Sequence, residues 1–272
     1  MKEKAIAYSV FTKPWKTLSA ARLAEKVRSL GFDGIEFPLR DGYQVQPEDA
    51  VKGLPKLAAR LAADGLRIFS VASSLDENVF AACAEAGVPM IRIMAEIDPK
   101  EGYMASERAV RSKIEQCQFF GEKYGVKIGV QPHCGNYVSS AIGLYRILDG
   151  LDPRHVGAVW DAGHDGLQGE GPGAGLDILW SRLCMVNLKN ARYRKAEFLD
   201  RGSAKWQVEY TTGKEGFASW PVVADELQRR QYRGVVCLSA EYSDHHRVDA
   251  YIAEDIAYAK TLFGVSVEEM IP

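Results

Sequence analysis

Cysteine and histidine are scarce in this chain of 272 residues, which contains five of each. The cysteines are widely spaced and never form a CxxC pair. We therefore expect free thiols and a reducing, cytoplasmic location. Long hydrophobic runs are also missing: no stretch reaches the ~18 apolar residues that a membrane span needs, and the apolar stretch at residues 5–11 is too short for a signal peptide.

A charge excess of either sign is also lacking. The chain has 34 Lys and Arg against 36 Asp and Glu, which leaves a net charge of −2. Such a balance provides no basic surface for a nucleic-acid backbone or an anionic membrane. With 47% hydrophobic and 26% charged residues the composition is that of a globular protein. We expect a small molecule as the partner, and neither nucleic acid nor membrane.

A glycine-rich phosphate loop is absent after the first strand-like run, where residues 12–16 read Thr-Lys-Pro-Trp-Lys. This absence disfavours a doubly wound open sheet. Eight short apolar runs alternate instead with longer amphipathic stretches, which is typical of a parallel sheet covered on both faces. The strand-like runs are residues 5–11, 34–39, 67–73, 90–96, 127–133, 156–161, 183–189 and 234–241. Eight such units close without edges, so the sequence predicts an α/β fold with a single (β/α)8 TIM barrel, one domain over residues 1–272.

The stretches between the strands have helical spacing. Residues 20–30 carry apolar side chains at i, i+3, i+4, i+7 and i+10. Thr17 is the candidate N-cap of this helix and Gly31 the residue that stops it. The pattern recurs in residues 220–227 and 252–263, and the apolar faces are expected to pack on the barrel.

Two connections from strand to helix are long: residues 162–173 after the sixth strand and 190–217 after the seventh. In a barrel these connections lie on the C-terminal rim, where active sites are built, so their length indicates function or a contact in a homo-oligomer. The glycine-rich residues 166–175 have neither GK[ST] nor GxGxxG after a strand, which favours a flexible lid over a phosphate loop.

Polar residues end several of the predicted strands. They are Glu36, Glu96, Gln131, His133, Asp161, His164, Asn187, Lys189 and Glu241. Each one taken singly has a simple alternative, solvation at the rim. Together, the oxygen and nitrogen atoms at the ends of four consecutive strands suit a hard or borderline divalent ion.

Basic residues follow the seventh strand, where barrels often hold phosphate. They are Arg192, Arg194, Lys195, Arg201 and Lys205. The interspersed acidic residues favour a solvated loop instead. Arg192 is kept as a candidate substrate-binding residue.

Four segments carry a resemblance to a known family: GFDGIE at 31–36, WDAGH at 160–164, VNLKN at 186–190 and GVVCLSAE at 234–241. The chain resembles the sugar phosphate isomerase/epimerase superfamily of xylose isomerase-like barrels along nearly its whole length. The resemblance implies a TIM barrel and a sugar or polyol substrate, and it covers ketose 3-epimerases, hydroxypyruvate isomerase, inosose dehydratase and endonuclease IV. The endonuclease branch is disfavoured because it needs a multi-zinc cluster and a basic DNA groove.

The resemblance also implies a divalent ion, held at the ends of the fifth to eighth strands. The corresponding positions are Gln131, Asp161, Asn187 and Glu241. The family's usual Glu and His are replaced by the amides Gln131 and Asn187, each of which offers only a carbonyl oxygen. We expect a weak Mg²⁺ or Mn²⁺ site, less suited to Zn²⁺, or a site that has lost its metal.

The implied chemistry is proton transfer beside a carbonyl group. An epimerase uses two carboxylates, and Gln131 cannot act as one, so a one-base reaction on Glu241 is favoured: aldose–ketose isomerisation, or loss of water from a keto-polyol. Glu36 or Glu96 is the candidate second acid of an epimerase, which therefore stays open as an alternative. Lys189 is predicted to stabilise the oxyanion or to pair with a rim carboxylate.

Two further points stay open at the level of sequence. His133 and His164 are candidate contacts for substrate hydroxyl groups, or histidines satisfied by the backbone. A sugar-binding barrel without catalysis is the alternative from another functional class, because two of the four ligand positions carry amides.

Overall fold

Eight parallel strands close into a barrel in the computed structural model, which describes residues 6–198 and 202–264. The order around the barrel is β1-β10-β7-β6-β5-β4-β3-β2. The barrel strands are β1 (Ile6–Phe11), β2 (Gly34–Pro38), β3 (Arg67–Ala72), β4 (Met90–Met94), β5 (Lys127–Gln131), β6 (Val156–Asp161), β7 (Leu183–Leu188) and β10 (Gly234–Leu238). An antiparallel hairpin, β8 (Asn190–Phe198) and β9 (Ala204–Thr211), lies between β7 and β10 in the chain. The predicted (β/α)8 barrel is confirmed.

All eight predicted barrel strands are present, but most end one to three residues before the predicted limit. The predicted eighth strand, for example, runs to Glu241, whereas β10 ends at Leu238. Glu96, His133, Lys189 and Glu241 therefore lie beyond their strands, on the C-terminal rim. Strand periodicity cannot locate this limit, because apolar residues continue past the last pair of the ladder.

Nine α-helices lie within residues 6–198 and 202–264, and none of them is long and apolar enough to cross a membrane. They are α1 (Ala20–Ser29), α2 (Ala50–Ala62), α3 (Glu77–Glu85), α4 (Tyr103–Tyr124), α5 (Ala141–Leu148), α6 (Ala162–Leu167), α7 (Pro172–Leu179), α8 (Trp220–Arg229) and α9 (Val248–Gly264). The N-cap of α1 is Ser19, whose hydroxyl accepts from the Arg22 N–H at 3.3 Å. Thr17 as the cap was wrong by two positions.

The apolar core has two parts. Six strands contribute a small cluster of side chains that contact one another, which only residues facing into a closed barrel can do: Phe11, Ala72, Met90, Val159, Met185 and Cys237. The larger cluster joins the outer strand faces to the helices and includes Leu23, Leu54, Phe80 and Trp220. The filled barrel makes the rim the place where polar side chains can face a ligand.

Both long connections contain regular structure. Residues 162–173 were predicted to be a loop, yet α6 begins directly after β6 and α7 begins at Pro172. Gly163 explains part of this, since a Cβ there would lie 3.0 Å from the Lys189 carbonyl, so glycine lets α6 pack against the end of β7. The loop interpretation of residues 190–217 is wrong, because they contain β8 and β9. Residues 166–175 are mostly helical, and their role as a lid stays a prediction.

Asp255 of α9 ties together the two segments that flank the rim next to β10. Its carboxylate accepts the Gly213 N–H at 2.8 Å and the Tyr242 hydroxyl at 2.8 Å. Burial raises the pKa of Asp255 to about 6, although both hydrogen bonds act in the opposite direction. The buried aspartate thus anchors Tyr242, the neighbour of Glu241.

The raised pKa of Asp255 predicts a stability that falls with rising pH. The folded state disfavours the ionised form, so stability is fully present below the ordinary pKa of 3.8 and decreases until pH passes about 6. The total loss is about 3 kcal/mol. Asp255→Asn should reduce this dependence of the unfolding free energy on pH. The asparagine keeps an acceptor for the Gly213 N–H, and the Tyr242 hydroxyl can rotate to accept from its amide. Urea unfolding from pH 4 to 8 measures both proteins; parallel curves would contradict the assignment.

Candidate active site

A small cavity of about 60 Å³ lies at the C-terminal ends of the barrel strands. It is called the cup here and is lined by Phe11, Lys13, Glu36, Arg40, Arg92, Met94, Gln131, His133, Asn187, Lys189, Ser239 and Glu241. Six of the residues predicted from sequence are among them: Glu36, Gln131, His133, Asn187, Lys189 and Glu241. The barrel therefore brings together residues that lie more than two hundred positions apart in the chain.

Glu241 is held between two lysines. Lys189 Nζ lies 2.8 Å from Glu241 Oε2, and Lys13 Nζ lies 2.5 Å from Glu241 Oε1. Burial alone would raise the pKa of Glu241, but the two ammonium groups outweigh it and hold the pKa well below its ordinary value. Glu241 is a carboxylate at any working pH. Sequence reasoning missed Lys13, whose signal was its place two residues after β1.

Lys189 is buried and has a second partner. Its ammonium group lies 4.0 Å from the centre of the Tyr210 ring, a cation–π contact. Tyr210 belongs to β9, so the hairpin contacts Lys189, a residue that lines the cup. Sequence analysis did not predict this role, because Tyr210 reaches the cup from the connection after β7 that was expected to be a loop.

Asp161 lies beneath the cup and is completely buried. Its carboxylate accepts a hydrogen bond from Gln131 Nε2 at 2.7 Å and one from the His164 N–H at 3.0 Å, the latter as the N-cap of α6. Burial raises the pKa of Asp161, opposed by the charge of Lys189, by the His164 N–H and by a hydrogen bond from the Asn187 side chain. Gln131 therefore links Asp161 to the cavity that Glu241 lines.

Gln131 and Asn187 each leave an oxygen atom unused. Gln131 Oε1 and Asn187 Oδ1 are buried and have no hydrogen-bond partner among the described residues. The NH₂ group of Gln131 is taken up by Asp161. An unsatisfied buried acceptor costs about 1–3 kcal/mol, so both oxygens are available to a hydroxyl group or a cation.

The charges around these oxygens do not fit a resident dication. Asp161 and Glu241 supply two negative charges, and Lys13 and Lys189, both acting on Glu241, supply two positive ones. The sum is zero, whereas Mg²⁺ and Mn²⁺ sites rely on an excess of carboxylate charge. The Glu241 oxygens are also already occupied by ammonium groups. No step of the chemistry below is routed through a metal at these four positions.

His133, Cys134 and His164 form a compact group at one side of the cup. The two imidazole rings lie 4.0 Å apart between centroids. His133 Nδ1 lies 2.7 Å from the Cys134 carbonyl oxygen, and the Cys134 N–H reaches His164 Nδ1 at 3.4 Å. Burial lowers the pKa of both histidines, so both are neutral. His133 lines the cup, whereas His164 is completely buried behind it.

Glu36 forms a buried ion pair with Arg92. Arg92 Nε and Nη2 donate to the two carboxylate oxygens at 2.9 and 3.0 Å, and the Ser70 hydroxyl donates to Oε1 at 3.1 Å. Both charged side chains are almost completely buried. Both oxygens of the Glu36 carboxylate are therefore engaged by Arg92, and one of them also by Ser70. Arg92 was missed, although an arginine within the apolar run 90–94 was itself a signal of a buried partner.

Two predicted substrate residues lie outside the cup. Glu96 is exposed and lines a neighbouring groove of about 810 Å³ between the segments that follow β2, β3 and β4. Arg192 of β8 is exposed and pairs with Glu209 of β9 at 2.7 Å. The proposed roles of Glu96 and Arg192 stay predictions. Arg201, one of the basic residues noted after the seventh strand, lies outside the described residues.

Comparisons with known proteins agree with the fold. A sequence profile described as "Xylose isomerase-like TIM barrel" matches residues 24–262. The inosose dehydratase of Bacillus velezensis is 25% identical over 142 residues, which are 50% of this chain and 46% of that protein. The chain spans about half the length of the curated relatives it matches.

Solved structures with the same architecture cover nearly the whole chain. A probable 3-DHS dehydratase from Bacillus anthracis has a TM-score of 0.71 at 14% identity and covers 92% of this chain and 97% of its own. D-psicose 3-epimerase from Clostridium cellulolyticum has a TM-score of 0.71 at 13% identity, with 94% and 99% covered. At these identities the likeness concerns the fold alone.

The Glu36–Arg92 pair predicts a large difference between single and double substitution. Glu36→Gln leaves the Arg92 charge buried without a counter-ion, which should cost about 3–5 kcal/mol of unfolding free energy. The double variant Glu36→Leu/Arg92→Met removes both charges and should be clearly more stable than the single one. Urea denaturation compares the three proteins. A single variant within about 1 kcal/mol of wild type would show that the pair is unimportant.

Proposed function

The chain belongs to the xylose isomerase-like TIM-barrel family, and from this premise we propose that it is an enzyme that enolises a keto-sugar or keto-polyol. Glu241 is proposed to remove the proton beside the carbonyl group. The observation that carries the proposal is the Glu241 carboxylate in the cup, with Lys189 Nζ at 2.8 Å and Lys13 Nζ at 2.5 Å.

The two ion pairs suit enolisation because the same ammonium groups can stabilise negative charge on Glu241 and then on the substrate. When Glu241 takes a proton, its charge is lost and a new charge develops on the carbonyl oxygen of the substrate. Lys189 is buried and positioned in advance, so its ammonium group exchanges one anionic partner for another without reorganising. Such preorganised donors commonly contribute several kcal/mol to transition-state stabilisation. The same ion pairs make Glu241 a weak base until the carbonyl oxygen of the substrate replaces Glu241 as the partner of Lys189.

The unused oxygens of Gln131 and Asn187 support a polyhydroxylated substrate. Both are buried acceptors in the cup, and a sugar hydroxyl is a donor that satisfies such an atom. The cup of about 60 Å³ holds only a few water-sized groups. Lys13, whose side chain is 46% exposed, is the residue that can swing outward and make room.

The reaction is proposed to use one base. Gln131 carries no exchangeable carboxyl proton, Glu36 is fixed by Arg92, and Glu96 lies in the neighbouring groove. Inversion by two opposed carboxylates therefore lacks the second carboxylate that would face Glu241 across the substrate. Aldose–ketose isomerisation needs only one base that returns the proton to the adjacent carbon on the same face.

Elimination of water is the second candidate, and the curated relatives named inosose dehydratase favour it. After the same proton removal by Glu241, a hydroxyl group on the next carbon would leave. Lys13 is a suitable acid for that step because its ammonium group lies on the solvent side of Glu241. A sugar-binding barrel without catalysis remains the third candidate, and it predicts binding without proton exchange.

Deuterium exchange tests the role of Glu241. In deuterated buffer, NMR should show solvent deuterium appearing beside the carbonyl group of D-fructose or 2-keto-myo-inositol. Glu241→Gln should lower the exchange rate by at least ~10²-fold. Glu77→Gln, which also removes a lysine-paired carboxylate but on α3, is the matched control and should exchange like wild type. Equal exchange by Glu241→Gln would remove Glu241 from its role, and binding without any exchange would favour the sugar-binding barrel.

Lys13→Gln separates isomerisation from elimination. In an elimination, loss of the acid should slow release of water by about 10²-fold while deuterium exchange continues. In an isomerisation, the product keeps the elemental composition of the substrate. Mass spectrometry of the product decides between the two, and a dehydrated product formed equally fast by Lys13→Gln would contradict the role of Lys13.

A further inference from the structure

We propose that His133, Cys134 and His164 form a binding site for a thiophilic transition-metal ion, with Zn²⁺ as its expected occupant. One ligand atom from each residue lies within 4.8 Å of the other two. In a tetrahedral site with Zn–N of about 2.0 Å and Zn–S of about 2.3 Å, ligand atoms lie roughly 3–4 Å apart, so small side-chain rotations suffice. This site is separate from the four positions at which the family resemblance implied an ion.

The fold places the three residues together by simple means. His133 and Cys134 lie two and three residues after the end of β5, and His164 lies in the first turn of α6, directly after β6. The strands β5 and β6 are neighbours in the barrel. All three residues therefore lie within three positions of the ends of two paired strands, which brings their side chains close together.

A buried ring nitrogen of His164 is independent evidence that this group of residues has a ligand. The residue is completely buried, and its Nε2 has no hydrogen-bond partner among the described residues. Its other nitrogen has only the 3.4 Å contact with the Cys134 N–H, which is long for a hydrogen bond. Because that contact is weak, its loss allows the proton to lie on Nδ1, and Nε2 then offers its lone pair to an ion.

His133 is already oriented as a metal-binding histidine would be. Its Nδ1 lies 2.7 Å from the Cys134 carbonyl oxygen, so Nδ1 carries the proton and Nε2 keeps its lone pair. Hydrogen bonding of the second ring nitrogen to a carbonyl is the usual arrangement around protein metals. Cys134 thus contributes twice, with its thiol as a ligand and its backbone carbonyl as the support for His133.

Ionisation of the Cys134 thiol reduces the charge that a dication brings to this group. Cys134 becomes a thiolate when it binds a metal. The charges of Asp161 and Glu241 cancel those of Lys13 and Lys189, so the dication and the thiolate leave a single positive charge. Imidazole and thiolate are the donors that select Zn²⁺ over Mg²⁺ or Mn²⁺. Three protein ligands also leave a fourth position open, and His133 borders the cup.

Cobalt substitution provides the test, with Co²⁺ as the spectroscopic probe for Zn²⁺. Protein freed of metal by chelator dialysis is titrated with Co²⁺ without substrate. We expect about one ion per chain and a thiolate-to-cobalt charge-transfer band, bleached by Zn²⁺ and unaffected by Mg²⁺. Cys134→Ser should abolish the band and weaken Zn²⁺ binding at least ~10-fold.

Cys117→Ser is the matched control, because Cys117 and Cys134 are each 8% exposed and unbridged. It should keep the band. Wild-type protein that binds no Co²⁺, or binds it without a thiolate band, overturns the proposal, as does a band that survives in Cys134→Ser. If Cys134→Ser does not fold, loss of the band in His133→Gln takes its place. Deuterium exchange plays no part in this readout, so the two proposals fail independently.

Discussion

The Glu241 carboxylate, held by two lysine ammonium groups, is the interaction on which the site depends. Lys189 is buried beneath Tyr210 of the hairpin, and Lys13 reaches Glu241 from the segment that follows β1. Removing either cation would leave the carboxylate partly buried and undercompensated, a costly arrangement. The same two lysines compensate the charge of Glu241, so they decide its ionisation and make the cup poorly suited to a hard dication.

Much of the barrel could be predicted from the sequence, since alternating apolar runs and amphipathic stretches admit few other folds. The rim residues Gln131, Asn187, Lys189 and Glu241 followed from strand order alone. The hairpin did not, because its exposed strands lack the apolar pattern of buried ones. The pairing of buried side chains could not be predicted from the sequence either. Arg92 of β4 forms an ion pair with Glu36 of β2, and no local sequence pattern specifies that contact.

Two groups of side chains with different donor atoms lie on either side of Asp161, and they are called the two donor sets here. The cup presents amide oxygens and ammonium groups, which suit a neutral polyhydroxylated molecule. His133, Cys134 and His164 present nitrogen and sulfur donors a few ångströms apart. Gln131 hydrogen-bonds Asp161 from the first set, and the His164 N–H does so from the second. Asp161 is therefore the buried residue that both donor sets contact.

The pairing of β1 with β10 closes the barrel, and Lys13 and Glu241 lie just beyond the ends of these two strands. Closure of the ring and assembly of the ionic site are thus a single event that joins residues 228 positions apart. Contacts this distant in sequence form late in folding. During translation, Lys13 therefore has no access to this carboxylate until the ribosome has released Glu241.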